Sequence, residues 1–149
     1  MRAPVGAHPR GLAGRERDAW VLDGIAEWWP RRARGVESAW LAPARKAMPA
    51  DFSARHLATW LSLRRAVGEE PARALAATGL AIFGQRHGLD ALRHFLAAMY
   101  ARAEPGDFRG WLADVLRPAR GRLRAATGVD EETFVAEWRA TLTAATPSP

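Results

Sequence analysis

Apolar residues along this chain recur three and four positions apart and never in strict alternation. That pattern restricts its fold more than any other feature. The cleanest instance is Leu92, Phe95, Leu96, Met99 and Tyr100, which fall at i, i+3, i+4, i+7 and i+8 on one helical face. A strand needs a period of two, and no segment supplies it. The expected fold is therefore all-α, an irregular multi-helix bundle of about six helices, with no internal repeat.

Glycine and proline set the expected boundaries. Residues 1–17 carry Pro, Gly and Arg without periodicity and read as a flexible lead-in. A first helix is expected from Asp18 to Trp29, with Val21, Leu22, Ile25, Trp28 and Trp29 as its apolar stripe and Pro30 as its stop. A short helix over Val36 to Leu41 would end at Pro43. Asp51 or Ser53 can cap a helix reaching Val67, with Leu57, Trp60 and Leu61 buried. Gly68 ends that helix, and Pro71 suits the first turn of the next, which buries Leu75, Ile82 and Phe83 and closes at Gly88. Asp90 opens another helix, and Asp107 a further one through Leu116 after the turn "AEPGD". In "GVDEETF", Asp130 is the N-cap of a last helix whose Phe134, Trp138 and Leu142 share a face. Residues 18–146 thus form one helical domain, and 147–149 a frayed tail.

Composition excludes several functions. The chain has 149 residues, enough for one real core, and 48% hydrophobic against 26% charged residues, which is globular rather than disordered. No apolar run reaches the roughly 18 residues of a membrane span. Cysteine is absent, so disulfides, thiolate catalysis and cysteine zinc sites are ruled out, while the compartment stays open. The net charge of +6 invites a nucleic-acid reading. Against it, only Lys46 of the 22 basic residues is a lysine, and the arginines are scattered along the chain.

Few residues carry chemistry. In "WVLDGIAEWW" (20–29), Asp23 and Glu27 lie a turn apart on one stripe with Trp20 beside them, opposite Val21, Ile25 and Trp28. Two such carboxylates can hold a cation or share a proton. Spacing alone favours a plain solvent face, but the mid-helix Gly24, which costs about 1 kcal/mol against alanine, suggests a close approach to that backbone. His8, His56, His87 and His94 form no HExxH pair, and His56 reads as a satisfied boundary residue. Ser38, Ser53, Ser62 and Ser148 lie in no nucleophile elbow, and no glycine-rich phosphate loop is present.

With the helices laid out, "WVLDGIAEWW" resembles the W-L-x-E-G-x-A-x-Y/W segment of the gluzincin-type zinc metallopeptidases, the thermolysin and aminopeptidase-like group. Downstream, "GLAIFGQRHGLDALRHFLAAM" (79–99) is similar to that family's paired helices around a glycine corner. "TGVDEETFVAEWRATL" (127–142) is similar to its closing helix. The resemblance covers about residues 20–142 and implies that Asp23 occupies the third zinc-ligand position, with Trp20, Gly24, Ala26 and Trp28 matching around it.

Two departures follow. Aspartate stands where the family has glutamate, one methylene shorter, and the HExxH helix that supplies the other ligands and the base is missing. Its place would fall at or before Met1, with Val5 to His8, in "PVGAH", as the candidate remnant. The resemblance therefore implies the C-terminal helical part of a longer metallopeptidase-like protein, or a degenerate member, catalytically incomplete by itself. Zinc would enter only if an upstream HExxH helix were supplied, and the partner would be that missing N-terminal half, or a peptide or protein. The alternative, from another class, is a stand-alone Arg/Trp-rich helical interaction module that binds a protein or an anionic partner.

Overall fold

A computed structural model describes residues 8–32, 35–100, 123–124 and 127–144. Among these the chain is all-α, with no strand. Seven helices follow in order: α1 (His8–Arg31), α2 (Ser38–Ala47), α3 (Arg55–Ala58), α4 (Trp60–Val67), α5 (Glu69–His87), α6 (Leu89–Tyr100) and α7 (Glu131–Ala144).

The organising element is α5. Its residues Ala72 and Ala74 to Gly84 are buried on every side, so it runs through the middle of the bundle rather than along its surface. Small residues in "ALAATGLAIFG" let neighbours approach closely, and α1, α2, α4, α6 and α7 all pack on it. Two glycine contacts show how tight the packing is. A Cβ on Gly24 of α1 would stand 2.9 Å from the carbonyl oxygen of Ala76, and one on Gly79 of α5 would stand 2.5 Å from the Trp138 ring. The approach suggested by Gly24 is therefore real, and what approaches is α5.

Helix ends follow their local chemistry. Gly68 and Gly88 hold φ of +100° and +97°, a backbone that glycine adopts without a Cβ clash, and they close α4 and α5. The Asp130 carboxylate accepts from the backbone N–H groups of Glu132 (3.1 Å) and Thr133 (3.3 Å), the expected N-cap of α7. Beyond that cap, Phe134, Trp138 and Leu142 are fully buried on one face. Each such side chain contributes roughly 1.5–3 kcal/mol by leaving water.

Several boundaries and faces differ from expectation. Helix α1 begins at His8, so much of the expected 1–17 lead-in is helical, and it runs through Pro30 to Arg31. Pro30 sits in the last turn, where the helix is about to end and the missing N–H costs one bond only. Similarly, Pro43 lies inside α2, which runs to Ala47. The carbonyl that loses its donor is that of Ala39, an exposed residue that water can serve. The expected helix up to Val67 is broken at Thr59, whose φ and ψ of −113° and 34° interrupt the helical path. Neither Asp51 nor Ser53 caps α3 with its side chain.

The apolar stripe of α1 is rotated from its expected position. Trp20, Val21, Asp23 and Gly24 are buried, while Leu22 and Trp29 are exposed. Leu61 on α4, expected inside, is also exposed. A helix-by-helix reading could not place α5, and it is the docking of α5 on Gly24 that turns α1. The expected helix from Asp107 to Leu116 and the turn before it lie outside the described residues, as do the side chains of Met99 and Tyr100.

Candidate functional site around Asp23

Asp23 is one of the few polar side chains inside the molecule, with 7% of its side chain exposed. A buried carboxylate needs partners for both oxygens, and α4 supplies them from successive turns. The Trp60 indole Nε1 donates to Oδ2 at 2.8 Å, and an Arg64 guanidinium nitrogen donates to Oδ1 at 3.2 Å. The spacing i, i+4 in "WLSLR" puts both donors on the α1-facing side of α4. Trp60 is fully buried, whereas Arg64 is 38% exposed, so its charge is partly served by water.

One turn along α1 the same chemistry repeats in a wetter setting. The Glu27 carboxylate accepts from the Trp40 indole Nε1 at 3.4 Å and pairs with Arg31 at 3.2 Å. The Arg31 guanidinium also stands 5.8 Å from the Trp40 ring centre. Asp23 and Glu27 thus each meet one indole and one guanidinium. The solvent-face reading of Asp23 is corrected: its side chain is buried, as is that of Trp20, and it faces α4.

The partners Trp60, Arg64 and Trp40 were not singled out from sequence. The W-x-x-x-R spacing of residues 60–64 was the available signal, but nothing local indicated which helix it would face.

Histidines fill structural roles where they are described. His56 Nδ1 accepts from the Ser53 N–H at 3.1 Å, as a satisfied boundary residue should, and His87 Nε2 pairs with Glu137 at 2.8 Å, tying α5 to α7. His94 is exposed. Among the described residues no group of three or more His, Asp or Glu is gathered that could hold a metal ion. The donors at Asp23 do not fit a zinc centre as they stand. Both oxygens of its carboxylate are engaged, and the Arg64 guanidinium sits 3.2 Å away, where it would repel a metal cation.

What the arrangement does chemically is neutralise and orient an acid at a helix–helix seam. Breaking such a pair on one side leaves an uncompensated buried charge, whereas keeping it contributes modestly. No family model matches the chain, and neither does any curated protein or any solved structure. Among the described residues, no helix is long and apolar enough to cross a membrane.

Proposed function

We propose that this chain is a gluzincin-like C-terminal helical domain that is catalytically incomplete on its own. In this reading Asp23 stands at the third-ligand position but serves as a structural acid. One observation carries the reading: the three segments that bear the resemblance meet in a single aromatic cluster. Trp20 of the first lies 6.2 Å from Phe95 of the second, and 5.9 Å and 5.5 Å from Phe134 and Trp138 of the third. Phe83 of the second meets Phe134 edge-on at 5.2 Å. Segments that pack as one unit are what a shared ancestral core requires, and their sequence spacing alone did not demand it.

Among the described residues zinc has no complete donor set. Were an HExxH helix supplied, Arg64 would first have to leave Asp23, and its 38% exposure gives it a route to solvent. The test is twofold. Reading the coding DNA upstream of Met1 for an in-frame HExxH distinguishes a separated half from a degenerate member. Incubating the purified chain with zinc and a fluorogenic peptide should give no hydrolysis above buffer; zinc-dependent turnover would refute the reading.

A second reading, an Arg/Trp-rich helical interaction module, is favoured by a different observation. Trp29 is 61% exposed and Leu22 42% exposed on one side of α1, and Arg32 just beyond the helix end is exposed as well. Large apolar side chains grouped at a surface are a feature of binding faces.

A further inference from the structure

We draw no further inference here: the strongest candidate, the exposed apolar face of α1 formed by Leu22, Ala26 and Trp29, carries nothing, because Arg31 is held by Glu27 and Arg64 by Asp23, and nothing in the structure shows what covers it.

Discussion

Two seams of the bundle use the same device with different polar partners. Where α4 meets α1, the Trp60 indole donates to the Asp23 carboxylate at 2.8 Å; where α7 meets α5, the Trp138 indole donates to the Thr78 hydroxyl at 3.0 Å. A glycine makes room at each, Gly24 for α5 beside the first and Gly79 for the Trp138 ring at the second. The difference lies in the acceptor. The Thr78 hydroxyl donates in turn to the Leu75 carbonyl within α5, so that seam is electrically neutral and locally satisfied. Asp23 brings a charge inside, and it needs Arg64 as well as Trp60. The neutral seam is a packing joint, whereas the charged one is a joint whose cation can leave.

The largest effect that separates the two is expected from Trp60→Phe. It removes the uncharged partner among the two described donors to a buried carboxylate and should destabilise the fold by about 3 kcal/mol in urea unfolding. Next comes Gly79→Ala, whose Cβ meets the rigid Trp138 ring at 2.5 Å. Overpacking should outweigh the helix-propensity gain and cost about 2 kcal/mol. Trp138→Phe should cost less than Trp60→Phe, about 1.5 kcal/mol, because Thr78 keeps its bond to Leu75. Equal losses for the two tryptophans would break the comparison. Smallest is Trp29→Ala, at 61% exposure, which should move stability by no more than about 0.5 kcal/mol.

Local chemistry made much of the fold readable. Gly68 and Gly88 stop helices because only a residue without a Cβ takes their φ freely, and Asp130 caps α7 through its own side chain. Such signals act within a few residues. The rotation of α1 was not readable, because it depends on α5, whose all-round burial appears only when five other helices surround it. Leu22, Trp29 and Leu61 look like core residues in isolation and become surface once that centre is placed.

The site divides along the same line. Asp23 stood out beside Gly24 within one helix, but its partners Trp60 and Arg64 lie 37 and 41 residues away. Their i, i+4 spacing says that they share a face; which helix that face meets is set by the docking of α1 and α4 on α5.

The central claim is that Asp23 is neutralised within the protein by Trp60 and Arg64 and does not hold a metal on this chain. Titration calorimetry of zinc into the purified chain, beside Asp23→Ala, tests it directly. Heats indistinguishable from dilution in the wild-type chain at sub-micromolar affinity are predicted, with Asp23→Ala altered in stability alone. Sub-micromolar zinc binding that disappears in Asp23→Ala would contradict the account.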